Sequence, residues 1–261
     1  MQFLSSAQNP QIKRLKGVQE KAKKRKEEEL FCIEGEKEIR HALKGGIKLN
    51  ALFVREGYAN KIEAAIVSKT ELIEVDKSLF ESLCFRKKTT QWIGLASTKT
   101  HALSQLDLAK KEVCILVAQA IEKPGNIGAL LRTADAMAVD ALLIANPKTD
   151  LYNPNVVRSS VGCLFTVAVG VGTTKEIQDF LDKNKIKIFS AALSQKAKPY
   201  TTVDFKGRIA IAVGTEDKGL SQEWLAKNTE EIYIPMRGEN DSLNVSVAAG
   251  ILLSEACRQR N

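Results

Sequence analysis

Apolar and polar positions divide this chain into two patterns. Up to about residue 100 the apolar runs are short and alternate with helical spacing. Ile12, Leu15 and Val18 recur at helical intervals after the start signals Ser5-Ser6 and Asn9-Pro10. Strands are predicted over 31–33, 51–54, 72–75 and 93–96. Helices are predicted from Gly35 to Gly45-Gly46 with Ile39 and Leu43 inward, and over 62–67 and 77–83. Short strands alternating with helices predict a small α/β domain over 1–100. The polar, mixed stretch 101–111 reads as a linker.

From residue 112 the apolar runs are uninterrupted. They cover 113–118, 141–144, 165–169, 186–189, 209–213 and 232–234, with helical segments expected over 127–137, 174–183, 222–227 and 245–258. Runs of this kind suit strands covered on both faces, so 112–261 is predicted to be an α/β domain with a parallel sheet. The final run leads into a polar loop ending in Ser242 and Asn244, both good N-cap residues. Val245, Ala248, Ala249, Leu252 and Ala256 then follow at helical spacing. A polar loop held between a strand and a packed helix is stiff, and such strand ends are where α/β proteins bind ligands.

Composition narrows the partners. The 261 residues have the apolar content and mixed charge of a soluble globular protein. No run approaches the ~18–20 apolar residues that span a bilayer, and the N-terminus lacks the apolar core of a signal peptide. The five cysteines are odd in number, scattered and without C-x-x-C, which argues for a reducing cytoplasm and against a disulfide framework or metal site. The net charge of +8 is uneven: residues 1–110 hold 21 Lys+Arg against 14 Asp+Glu, densest over 13–26. Clustered positive charge suits a polyanion, nucleic acid first. Glu27-Glu28-Glu29 follow directly, so a solvated helix face explains the same residues.

Common phosphate loops are missing. Gly170-Val171-Gly172 lacks a third glycine, and Leu220 stands where a P-loop after Gly214 needs lysine. The two histidines, His41 and His101, both precede residue 112, which disfavours Ser–His or Cys–His catalysis in the second domain. Three loops, each after a strand, hold the remaining chemistry. The first runs Gln119-Ala120-Ile121-Glu122-Lys123-Pro124-Gly125-Asn126 and continues through Gly128 to Arg132. Asn126 suits a helix cap or a site, and Arg132 sits among apolar neighbours as a partly buried residue would. The second is Gly214-Thr215-Glu216-Asp217-Lys218-Gly219-Leu220-Ser221, a pocket edge or a plain surface turn. The third is Ile234-Pro235-Met236-Arg237-Gly238 through Ser242-Leu243-Asn244.

Taken together, Asn-x-Gly-x-x-x-Arg, Val-Gly-x-Glu-x-x-Gly-Leu-Ser and Ile-Pro-Met-x-Gly-x-x-x-Ser-Leu-Asn-Val-Ser-Val-Ala-x-Gly-Ile form one long ordered pattern. It resembles the SpoU/TrmH family of S-adenosylmethionine-dependent RNA ribose 2′-O-methyltransferases, within the SPOUT superfamily, over roughly 112–258. The first domain, with Phe31-Cys32-Ile33-Glu34-Gly35-Glu36, looks more weakly like the substrate-binding domain often fused to this family.

The resemblance implies a SPOUT-type parallel sheet with a deep C-terminal trefoil knot. It implies S-adenosylmethionine contacts at Gly214, Ile234 and Leu243, with Leu193 and Met236 as additions, and polar site residues Asn126, Arg132, Glu216, Ser242 and Asn244. A guanidinium is a poor base, so Arg132 is expected to orient a phosphate and stabilise developing charge. A homodimer, no metal and no membrane are implied, with an RNA substrate gripped by the basic first domain. Ribosomal RNA is favoured over tRNA because the two-domain form resembles the ribosomal enzymes. A non-catalytic RNA-binding assembly factor and a base methyltransferase are the alternatives.

Overall fold

A computed structural model describes residues 2–62, 66, 70–85, 90–215, 217–225, 229–239 and 242–260. Its contacts divide the chain into two units, Met1–Thr100 with Asp150–Thr166, and His101–Thr149 with Val167–Asn261.

The first unit holds strands β1 (Gln2–Leu4), β2 (Leu30–Glu34), β3 (Leu49–Arg55), β4 (Glu71–Val75) and β5 (Trp92–Ser97) in the order β1-β4-β3-β5-β2. The sheet is mixed: β1 and β3 run parallel to β4, while β5 is antiparallel to β2 and β3. Helix α1 (Pro10–Glu20) starts where the sequence says it should, with Asn9 Oδ1 accepting from Gln11 N at 2.8 Å and Pro10 in the first turn. The chain turns extended at Lys21, so the helix that carries Ile12, Leu15 and Val18 stops there and a second, α2 (Ala22–Glu28), follows. Helices α3 (Glu36–Lys44) and α4 (Lys77–Leu83) complete this part. Ile12, Leu15 and Val18 are fully buried with Phe53, Ile73 and Phe80. The expected helix over 62–67 falls largely on 63–65 and 67, outside the described residues.

Asp150–Thr166, with short helices Pro154–Ser159 and Cys163–Thr166, belongs to this first unit although its sequence lies in the stretch expected to form the second domain. Arg25 is only 4% exposed. Its Nε donates to Asp150 Oδ2 at 2.7 Å, and its Nη1 donates to the Val18 and Gln19 carbonyls. The basic cluster is therefore not one free surface. Arg25 is structural, and Arg14 and Lys24 both pair with Glu28. The Phe31 ring lies 4.4 Å from Tyr152 and 5.8 Å from Phe165.

The second unit is a parallel sheet, as expected, in the order β10-β12-β9-β11-β6-β7-β8. Its strands are β6 (Val113–Gln119), β7 (Ala141–Ala145), β8 (Val169–Gly172), β9 (Lys187–Ala191), β10 (Lys198–Pro199), β11 (Arg208–Val213) and β12 (Thr229–Tyr233). Helices α5 (Pro124–Ala136), α6 (Thr174–Lys183) and α7 (Val245–Arg260) connect or end them. All of β6 is buried, which explains its apolar run. The strand expected over 165–169 is corrected. Phe165 lies in a helical turn and packs on Phe31, while the strand starts at Val169. The two ends of that run, Phe165 and Val169, are both buried, so hydrophobicity alone could not separate them. Residues 222–225 form a 3-10 turn rather than the expected longer helix, and 226–228 lie outside the described residues.

Candidate active site

The order of strands selects the place. From β6 the chain moves outward through β7 and β8, then returns to build β9, β11 and β12 on the other side of β6. The order in which strands are added reverses between β6 and β11, and ligands bind beyond the carboxyl ends of strands at such a switch point. The loops leaving β6, β9, β11 and β12 there enclose two cavities, of about 630 and 290 Å³.

The larger cavity is lined from four directions. Leu193 follows β9, Gly214, Thr215 and Asp217 follow β11 with Gly219 and Leu220 after them, Ile234 and Met236 follow β12, and Ser242 and Leu243 lead into α7. Leu193, Gly214, Ile234, Met236 and Leu243, expected together from sequence, are thus brought around one space. Leu193 is 68% exposed, a large apolar side chain left at its rim. Gly214 is glycine for a steric reason. A Cβ there would lie under 3.0 Å from the Gly219 carbonyl and the Leu220 amide. Those backbone atoms sit close because Thr215 and Gly219 exchange two hydrogen bonds, at 3.1 and 2.9 Å.

Asn244 ends the third loop. Its Oδ1 accepts from Ser246 N at 3.1 Å and from Ser246 Oγ at 2.6 Å, which caps α7. Its Nδ2 donates to Asn126 Oδ1 at 3.2 Å, joining residues 118 apart in sequence. Asn126 lines the smaller cavity with Lys123, and Thr215, Asp217 and Val245 line both cavities. Asn126 is not the cap that its residue type allows. Pro124 occupies the first turn and starts α5 earlier, with Lys123 at the cap position. The Asn126 side chain is directed instead to Asn244.

Arg132 also differs from expectation. It is exposed on α5 rather than partly buried, makes no hydrogen bond or ion pair among the described residues, and lines neither cavity. Ser242 is exposed at the larger cavity, and Glu216 lies outside the described residues. Among the described residues no cluster of His, Cys, Asp or Glu could hold a metal. No described helix is long and apolar enough to cross a membrane. Thr215, Asp217 and Tyr233 line the larger cavity without having been singled out in the sequence; their position at or just after the carboxyl ends of β11 and β12 is the signal that could have found them.

The model of the SpoU rRNA methylase family matches residues 113–254. The chain belongs to that family. Residues 9–94 match the MRM3-like substrate binding domain, so this SpoU member carries both parts. A 23S rRNA (guanosine(2553)-2′-O)-methyltransferase of Bacillus subtilis (strain 168) is 29% identical over 253 residues, covering 97% of this chain and 98% of its own length. A crystal structure of an RNA 2′-O ribose methyltransferase superposes with a TM-score of 0.84 at 36% identity over 99% of both chains. An AdoMet-bound rRNA methyltransferase of Sinorhizobium meliloti shares the fold, with a TM-score of 0.90 at 24% identity over 98% of this chain and 97% of its own.

Proposed function

We propose that this SpoU-family protein transfers a methyl group from S-adenosylmethionine to a ribose 2′-hydroxyl of ribosomal RNA. The observation that carries the reading is the convergence of the loops after β9, β11 and β12 on one cavity beside the Asn126–Asn244 pair. The cavity fits the cofactor in size, since ligand sites run about 300–1,000 Å³. It also fits in chemistry. Leu193, Ile234, Met236 and Leu243 would supply apolar walls, and Gly214 leaves the neighbouring backbone close to the space. When bound, S-adenosylmethionine supplies an electrophilic methyl group on its sulfonium.

This chain's own residues would hold and orient the acceptor. Asn126, Ser242 and Asn244 would face the ribose, with Glu216 as a further polar contact. Arg132 would take a phosphate of the RNA through its fork of donors and stabilise charge developing on the 2′-oxygen. Its exposure, with no hydrogen bond or ion pair to it among the described residues, suits that task. Holding acceptor and donor in line is worth more than any single contact.

Residues 1–100 would grip RNA backbone, with affinity falling as salt rises. A deep trefoil knot in the C-terminal part would set the loops after β11 and β12 side by side. A homodimer would form over α7, whose Val247 is 49% exposed on a helix otherwise rich in buried positions. Five free cysteines suit a reducing cytoplasm. Ribosomal RNA is favoured over tRNA because the Bacillus subtilis relative, a 23S rRNA enzyme, spans both parts of the chain. The test is methyl transfer from labelled S-adenosylmethionine to ribosomal RNA, with the modified nucleoside mapped. A 2′-O-methyl nucleoside is expected; absence of both transfer and cofactor binding would refute the reading.

A further inference from the structure

Strand β6 is apolar through Ala118 and then ends on a glutamine. Gln119 is only 5% exposed, and a buried amide is unfavourable unless its hydrogen bonds are made. Here they are made. Its Oε1 accepts from Ser221 N at 2.8 Å, which fixes the orientation of the amide. Its Nε2 then donates to Ser221 Oγ at 2.7 Å and to Thr174 Oγ1 at 3.3 Å. Thr174 is locked in turn: its Oγ1 accepts from Asn146 Nδ2 at 2.9 Å, and its N–H donates to Asn146 Oδ1 at 3.2 Å.

Ser221 is the last residue of the 214–221 loop. The other end of that loop is β11, and the Thr215–Gly219 pair closes its middle. Gln119 therefore ties down the one end that no strand holds. Two residues beside it are strained. Ala120 and Asn146, at the ends of adjacent strands, are left-handed with φ of 52° and 50°. Non-glycine residues keep such conformations only where the surroundings dictate them.

We propose that Gln119 is a positioning residue that clamps the 214–221 loop and so sets the affinity of the larger cavity for its cofactor. The affinity part rests on the reading of that cavity as the S-adenosylmethionine site. The loop supplies Gly214, Thr215, Asp217, Gly219 and Leu220 to the cavity wall, so releasing Ser221 loosens one whole side.

Side-chain chemistry distinguishes clamping from mere filling of space. Gln119→Met keeps the volume and removes every bond. Gln119→Glu keeps an acceptor for Ser221 N, and the Ser221 and Thr174 hydroxyls can turn to donate to its second oxygen. The clamp predicts that Glu rescues what Met loses. Amide exchange in the cofactor-free protein and calorimetric titration with S-adenosylmethionine read the two parts separately. In Gln119→Met, exchange at Gly219 and Ser221 should speed up by about tenfold or more while β6 and β11 stay protected. Affinity should fall about tenfold, and Gln119→Glu should return both to within about threefold of the parent. Ser221→Ala, which keeps the backbone donor, should fall between.

Ile209→Val, a buried change near the end of β11 opposite the loop, controls for lost stability and should leave affinity unaltered. Unchanged loop exchange in Gln119→Met, or a Glu variant as weak as Met, overturns the clamp. Unchanged affinity in Gln119→Met with a binding parent overturns its role toward the cofactor. A parent that gives no heat overturns the proposed function, while the exchange measurements still decide the clamp.

Discussion

Gly214→Ala should disable the larger cavity through a backbone collision. The new Cβ would come under 3.0 Å from the Gly219 carbonyl and the Leu220 amide, and backbone atoms cannot rotate away as side chains can. The loop has to open, which forfeits the bonds from Thr215 N to Gly219 O and from Gly219 N to Thr215 O. At about 1 kcal/mol net for each, the loss is about 2 kcal/mol. For a chain of this size that corresponds to a melting temperature lower by about 4–8 °C. The opened segment also carries much of the cavity wall, so affinity for S-adenosylmethionine should fall about 10–100-fold. Gly219→Ala is the internal control. Nothing lies within 4 Å of a Cβ there, but φ is +63°. That variant should lose only about 1–2 kcal/mol to left-handed strain and should perturb binding less. Thermal unfolding and calorimetric titration of both variants decide the matter. The reasoning is refuted if Gly214→Ala binds within about twofold of the parent, or if Gly219→Ala proves the weaker binder.

Other perturbations separate structural from chemical roles. Arg132→Lys, at an exposed position with no hydrogen bond or ion pair among the described residues, should leave the melting temperature unchanged yet lower turnover about 100-fold; near-full turnover would remove the need for a guanidinium fork. Asn244→Ala removes the α7 cap and the bond to Asn126, so a loss of about 1 kcal/mol is expected in denaturant unfolding, and an unaltered midpoint would contradict it. Arg25→Met leaves Asp150 without its buried partner and should lower stability by about 3 kcal/mol; a loss below about 1 kcal/mol would mean the pair behaves as a surface one. Burial pushes the Cys84 and Cys114 thiols up to about 12, so iodoacetamide at neutral pH should spare both in the native protein. Peptide mapping that finds either rapidly alkylated would argue against that burial.

Much of the second unit was legible because its signals are local. The helix expected over 174–183 coincides with α6, where Thr173 and Glu176 form a reciprocal capping box. The buried strands announced themselves by uninterrupted apolar runs. Strands β1 and β10 were missed because three and two residues hold no periodicity. The run at 165–169 misled because it serves two units. The five apolar and glycine positions implied by the family resemblance do converge on the larger cavity. Gln119 had no comparable signal: one polar residue at a strand end means little until Ser221, 102 positions later, is seen bonded to it. Arg132 was misjudged because apolar neighbours along a helix say nothing about which face a residue occupies.

The membership of Asp150–Thr166 in the first unit has a consequence for modularity. The chain passes between the units at 100/101, at 149/150 and again at 166/167. A cut within 101–111 would therefore not release an intact first unit, since the Arg25–Asp150 pair and the Phe31–Tyr152 contact would hold the two fragments together. The same holds for recombination. A foreign substrate-binding domain grafted at the linker would arrive without the segment that completes it, and the recipient's Asp150 would lose its bond from Arg25 and its Tyr152 the ring of Phe31. Exchange of the first unit in this architecture requires two coordinated replacements, one of 1–100 and one of 150–166.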